Sequence, residues 1–340
     1  MIRLQHALFD EIERPSPTVA AVQRSLQRAI ELEHATIPPY LYALYSLDET
    51  LNPQIAALIF SVVRQEMLHM CLSSNILNAI GGRPSIDRPD FIPRYPGRLP
   101  GGVEKGLVVH LLPFSMEQVE TFMTIEEPEH SDDGQPPPDP AVGRTIGEFY
   151  TAISKALAQL PASSFDPSGK RQVSSELMRG SIVVTDLTSA QAAITTIIDQ
   201  GEGTSVSPQG GQGELAHYYR FKEIHEGRAL IQLEGKWVYR GAVIPFNPKG
   251  VYPAPSNPKG SSYPHDSIAA AANRNFNGAY TSLLAVLHDL FNGQNDAPTF
   301  HRALALMMSM KEQAKGMMSS TSNYGQVHIG PSFEYQALNG

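Results

Sequence analysis

"RQEMLHM", residues 64–70, sets a glutamate and a histidine inside an apolar run, between "IAALIFSVV" (55–63) and "CLSSNILNAI" (71–80). On a helix Glu66 and His69 are three apart and share a face. That face runs one way through Ile59, Val62 and Val63, and the other through Met70, Leu77 and Ile80. An unpaired carboxylate there would cost several kcal/mol to bury. A cation, a hydrogen-bonded polar cluster or a metal must therefore sit opposite.

The segment before it supplies one partner. Ser16 with Pro17 behind it predicts the start of a long helix running to about Leu47. Its apolar stripe reads Val22, Leu26, Ala29, Ile30, Ile37, Leu41 and Leu44. Within "AIELEHATIPPYLYAL" (29–44), Glu33 lines up with that stripe and with Tyr40, whereas Glu31 lines up with Arg24, Gln27 and Arg28. Glu33 is the inward carboxylate and Glu31 an ion-paired or solvated surface group. Pro38 and Pro39 free the carbonyls of His34 and Ala35 and predict a kink or bulge. His34 reads as a supporting group rather than a ligand. A second helix, from about Pro53 to Ile80, ends at "GGRP". The two should pack as an antiparallel hairpin.

The third patch is "GEGTSVSPQGGQGELAHYYRFKEI" (201–224). On a helix over 214–227, Glu214 and His217 repeat the Glu-x-x-His spacing and share a face with Phe221 and Ile224. Upstream, Glu202 continues the line of Ile194 and Ile198, while Asp199 falls beside Ala192, Thr195 and Thr196. Glu148 sits with Arg144, Thr151 and Lys155. Glu202 ranks first as the remaining inward carboxylate, Asp199 second and Glu148 third. The sum is one Glu, one Glu-x-x-His, one Glu and a second Glu-x-x-His, which is the constellation of di-iron and di-manganese carboxylate bundles. Two hard divalent cations need several anionic oxygens and an imidazole each, and Fe and Mn accept the same set. The bland alternative is a buried salt-bridge network built on Arg64 and Arg220.

These motifs carry a resemblance. "EHATIPPY" (33–40) resembles the first-helix pattern of the ferritin superfamily, and "EMLH" (66–69) followed by "ILNAIGG" its second. More specifically, "LEHATIPPYLYALYS", "VVRQEMLHM", "LNAIGGRP" and "GELAHYYRFKEI" resemble the ferritin-like domain of the iminophenyl-pyruvate dimer synthase family, over roughly residues 16–230. The resemblance implies a ferritin-like four-helix bundle and an oxidative metal centre. It does not transfer imine dimerisation, because the pathway enzymes of that family are far larger chains.

The rest of the chain predicts a mostly α protein. Further helices are expected near 142–160, 186–201, 266–292 and 298–318, with a short one in "SMEQVETFMTIEE" and a short strand in "LVVHLL". "PEHSDDGQPPPDP" (128–140) reads as a surface loop and 243–264 as a proline-rich wrap. The division drawn is a bundle over 1–235 with inserted loops at 85–140, and a C-terminal extension over 236–340 packed on it. A net charge of −8 with no basic block argues against nucleic acid. The single cysteine, Cys71, fits a reducing compartment and a filler role. No signal-peptide core or uninterrupted apolar span appears, so the expectation is a cytoplasmic protein without a membrane partner.

The expected function is a non-haem di-metal oxidase or oxygenase. It would act with O₂ or peroxide on a small, amino-acid-derived molecule, with a homo-oligomer allowed. Glu33, Glu66, His69, Glu202, Glu214 and His217 are the expected ligands of two divalent ions. Tyr40, Tyr42 and Tyr218 are candidate hydroxyl donors beside them, and His328 and Glu334 of the tail read as structural. A peroxide-consuming di-metal enzyme and a metal store are the alternatives.

Overall fold

The computed structural model describes residues 4–101, 107–128, 144–203, 207–211, 213–320 and 328–337. Two long antiparallel helices, α1 (Val19–Tyr45) and α2 (Pro53–Ala79), form its spine. The cap of α1 is Thr18 rather than Ser16: its backbone is extended and its side chain accepts from Ala21 N. Pro17 thus stays outside the helix. Pro38 and Pro39 do not interrupt α1, which is continuous through them. The carbonyl of Ala35, deprived of its partner by Pro39, instead accepts from the Tyr95 hydroxyl at 2.7 Å. Gly81, at φ 78°, ends α2 in the left-handed conformation that only glycine adopts without strain.

By length and composition α2 could cross a membrane, yet 67% of that window is buried within the protein. Its polar C-terminal half explains how. Asn75 donates to the carbonyls of Val173 and Ile182 and accepts from Val173 N. Asn78 donates to those of Arg171 and Phe291. These amides tie irregular chain to the helix and satisfy backbone groups that would otherwise be buried unpaired. Cys71 lies among them, fully buried, and burial pushes its thiol up to about 12. It is packing, not chemistry.

Around the spine stand α3 (Met116–Ile125), α4 (Ile146–Ala158), α5 (Leu187–Gly201) and α6 (His217–Glu226). The short α3 packs on α6, α4 on both α5 and α1, and α5 and α6 on α2. Asp186 caps α5, and Thr145 with Glu148 forms a capping box on α4. The "PEHSDDGQPPPDP" loop lies, from residue 129 on, outside the described residues, as does the expected start of α4 at 142.

The strand expected in "LVVHLL" is a single bridge, Val109 to Gly97. Instead an antiparallel hairpin, β1 (Arg228–Leu233) and β2 (Lys236–Val243), follows α6. Glu234 and Gly235 turn it with φ of 50° and 80°, the two positive angles of a type I′ turn. The division drawn at 235/236 falls inside this turn. Beyond it the proline-rich segment is pinned to the α1–α2 corner. Asn52 donates to the carbonyls of Asn247 and Gly250 and accepts from Asn247 N. The hairpin of α7 (Ile268–Phe291) and α8 (Ala297–Ser319) then packs on the outer side of α1 and α2.

The tail lies along α7 as an irregular strap, with Phe333 at φ 51°. Ser332 N, Glu334 N and Gln336 N donate in turn to the side chains of Asn273, Asn277 and Thr281.

Candidate metal centre

Glu33, Glu66, His69, Glu126 and His217 meet in the core, each 5% exposed or less except Glu126 at 8%. Ligating atoms of Glu33, Glu66 and His69 lie within 4.8 Å of one another, and so do those of Glu66, Glu126 and His217. Glu66 belongs to both groups. Its Oε1 is 2.8 Å from His217 Nδ1 and 3.9 Å from His69 Nδ1. Glu33 Oε2 lies 3.4 Å from His69 Nδ1, and Glu126 Oε2 lies 3.4 Å from His217 Nδ1. The two imidazoles stack at 5.3 Å between centroids.

The outer oxygens are tied down by hydroxyls. Tyr150 donates to Glu33 Oε1 at 2.5 Å, Thr36 to Glu66 Oε2 at 2.8 Å, and Tyr40 to Glu126 Oε1. Each carboxylate thus keeps its second oxygen facing the histidines. Burial, reinforced by the neighbouring carboxylates, raises the Tyr40 and Tyr150 phenols well above their usual value. They stay protonated and remain donors. Ser73 in turn fixes the Tyr150 hydroxyl at 2.9 Å.

Electrostatics leave the cluster short of positive charge. Burial raises the Glu66 carboxyl well above its usual range, and the charges of Glu126 and Glu33 push it further. Burial also acts upward on Glu33, but the hydrogen bond and charge of His69, with the Tyr150 hydroxyl, outweigh it and hold that carboxyl low. Nδ1 of His217 makes no hydrogen bond despite its closeness to Glu66. An orphaned imidazole nitrogen facing crowded carboxylate oxygens is the donor set of a divalent cation. The residues therefore fit a metal, and this cluster could bind one.

The structure brings together four of the six expected ligands. Glu214 is not among them. Helix α6 begins at His217, with Ala216 as its cap, so Glu214 precedes the helix and the shared-face argument does not apply. Its side chain is 65% exposed and pairs with Arg220 at 3.2 Å. Glu202 lines the cavity beside Glu33, Glu66 and His69, but its carboxylate accepts from Gly147 N at 2.7 Å. Asp199 packs against the backbone of Gly210 and Gly211. Glu148 serves the α4 cap. Glu126, which ends α3, takes the place sought for them. Its signal was present: Val119, Phe122 and Glu126 follow a helical stripe of three and four.

Among the tyrosines, Tyr40 supports Glu126 as described, whereas Tyr42 donates to the Pro255 carbonyl. Tyr218 packs with Ala216, Tyr219 and Leu230 in a separate small cluster. Tyr150 was not foreseen. Glu31 binds Arg28 at 2.6 Å and Arg88 at 2.7 Å, ion-paired as expected though buried. Glu334 binds Gly260 N and Ser332, as part of the strap.

His34 faces away from the cluster. Its Nε2 meets the Tyr280 hydroxyl at 2.7 Å and its ring lies 4.4 Å from Phe91. Burial lowers its pKa from 6.5 to about 3. Below about pH 6.5 the unfolded chain takes up a proton here that the folded chain refuses. Stability therefore falls as pH falls from about 6.5 to about 3, by roughly 1.4 kcal/mol per pH unit. Denaturant titrations of metal-free protein should show wild type losing about 2 kcal/mol more than His34→Gln between pH 6.5 and 5. Equal losses would contradict the assignment.

Comparison with known proteins agrees with this fold. A family model described as ferritin-like matches residues 26–226. Dichlorochromopyrrolate synthase of Lentzea aerocolonigenes is 24% identical, covering 94% of this chain and 36% of its own length. The 2-imino-3-(indol-3-yl)propanoate dimerase of Chromobacterium violaceum is also 24% identical, covering 80% of this chain and 29% of its own. The chain thus spans about a third of those relatives. The crystal structure of a ferritin-like protein from Caulobacter vibrioides superposes with a TM-score of 0.65 at 24% identity, covering 95% of this chain and all of that one.

Proposed function

This chain belongs to the ferritin-like family, and from that premise we propose that it is a non-haem di-metal oxidase or oxygenase acting on a small, amino-acid-derived molecule. The observation that carries the reading is Glu66, one carboxylate shared by two Glu–Glu–His groups in a buried site. Glu33, Glu66 and His69 would hold one divalent ion, and Glu66, Glu126 and His217 a second. Iron or manganese held there supplies redox chemistry toward O₂ or peroxide.

The protein's own part is orientation and exclusion of water. Tyr150, Thr36 and Tyr40 fix the carboxylate rotamers, and α1, α2, α3 and α6 wall the site. Ile125, Ile146, Ile197 and Ile198 line its approach beside Glu127 and Glu202. The names of both curated relatives describe small organic molecules, one an indolyl imino acid. That likeness supports the substrate class.

The test is steady-state O₂ consumption by iron-loaded protein, with and without aromatic 2-imino and 2-oxo acids. Uptake that depends on one of these substrates is the expected result. Loading with excess Fe(II) that leaves a mineral core would overturn the reading in favour of a store. A second reading has one observation behind it: the cavity at the cluster holds about 30 Å³, roughly the room of two water molecules. That space suits peroxide, so rapid O₂ release from hydrogen peroxide without organic substrate would favour a peroxide-consuming enzyme.

A further inference from the structure

Both histidines of the cluster are held from behind by amides. His69 Nε2 lies 3.0 Å from Gln200 Oε1, and His217 Nε2 lies 3.1 Å from Gln65 Oε1. On the His217 side the chain of contacts continues. Gln65 Nε2 donates to Glu214 Oε2 at 2.9 Å, and Arg220 Nη2 donates to the same oxygen at 3.2 Å. Arg220 is itself anchored to the Leu215 carbonyl at 2.6 Å and to Ser61 Oγ at 2.8 Å.

The order of donors and acceptors in this chain fixes the Gln65 amide and the Nε2 end of the His217 ring. A carboxylate paired with arginine only accepts, so Gln65 must turn its NH₂ group to Glu214 and its oxygen to His217. An amide oxygen also only accepts, so His217 must carry its proton on Nε2. In the neutral ring Nδ1 then faces Glu66 and Glu126 with a lone pair, and it makes no hydrogen bond.

We propose that Arg220, Glu214 and Gln65 form a relay that fixes the tautomer and orientation of His217, so that Glu214 serves the metal site as a positioning residue two hydrogen bonds removed. The inference rests on the di-metal reading for its purpose, but not for its geometry. Outer-sphere partners of this kind typically alter metal affinity roughly 10- to 100-fold.

The test has two arms. Nitrogen-15 NMR of histidine-labelled, metal-free protein reads the tautomer directly. Wild type should show His217 protonated on Nε2, and Gln65→Leu should lose that preference. Titration with Mn(II), followed by calorimetry and by electron paramagnetic resonance, reads the site. Gln65→Leu should weaken one of two bound ions roughly 10- to 100-fold and change its spectrum. Glu214→Gln alone should weaken it too, because the amide of Gln65 is then free to flip.

The variant that separates a relay from mere packing is Gln65→Glu combined with Glu214→Gln. It exchanges acid and amide but restores an acceptor facing His217 and a donor behind it, so affinity and tautomer should both recover. Unchanged tautomer and unchanged affinity in the single variants would overturn the relay. So would failure of the folded double variant to recover. Wild type that binds no Mn(II) would overturn the di-metal reading instead, with the tautomer result still deciding the relay.

Discussion

Glu66→Ala is expected to empty both halves of the centre, taking bound metal from about two ions per chain to nearly none. The residue is common to the two Glu–Glu–His groups. Without it each ion would keep one carboxylate and one imidazole, too few to hold a hard divalent cation in competition with water. Metal analysis after equilibrium dialysis checks this. Glu31→Ala is the control: it sits two residues from Glu33, yet its carboxylate serves Arg28 and Arg88. Loss of metal in Glu31→Ala with retention in Glu66→Ala would overturn the assignment.

Glu126→Ala should have a different signature, the loss of about one ion per chain. Its Oε2 faces His217 and not His69, so the Glu33–Glu66–His69 group should survive. Glu33→Ala should do the reverse. Glu202→Ala should keep both ions, because its carboxylate is held at the N-terminus of α4 by Gly147 N. If Glu202→Ala loses an ion while Glu126→Ala does not, Glu202 is the third carboxylate of the site. Circular dichroism on each variant separates lost ligands from lost folding.

Helical period alone made Glu33, Glu66, His69 and His217 legible, because each lies on an apolar stripe whose register is set by many neighbours. The eight helices among the described residues fall close to where that same signal puts them. Glu214 failed for a local reason. The shared-face rule holds inside a helix, and α6 begins three residues after it, where Gly210 N pairs with the Glu214 carbonyl instead. Glu126 is hard to read from sequence because ten residues of helix followed by "EEPEH" look like the margin of a loop rather than a bundle element. Tyr150 was hidden by distance in sequence: nothing in "TIGEFYTAI" says that this ring reaches Glu33, 117 residues away. The β1–β2 hairpin lacks the Asn-Gly or Asp-Gly turn that announces one, since Glu234 adopts a positive φ more at home in glycine or asparagine.

The glutamine backing of both histidines bears on chemistry as well as geometry. A neutral amide pulls less on the N–H than a carboxylate would, and would leave the imidazole a weaker electron donor to any ion held in front of it. The three hydroxyl donors act in the same direction on Glu33, Glu66 and Glu126 by drawing charge from one oxygen of each. These features shape the centre without adding charge to a core that already holds three carboxylates.

The most direct test of the account is an anomalous difference map from crystals grown with Fe(II) or Mn(II), recorded at each metal's absorption edge. The predicted result is two peaks that share Glu66, one beside Glu33 and His69 and the other beside Glu126 and His217. No peak at Glu66, or ions bound only elsewhere on the chain, would contradict it.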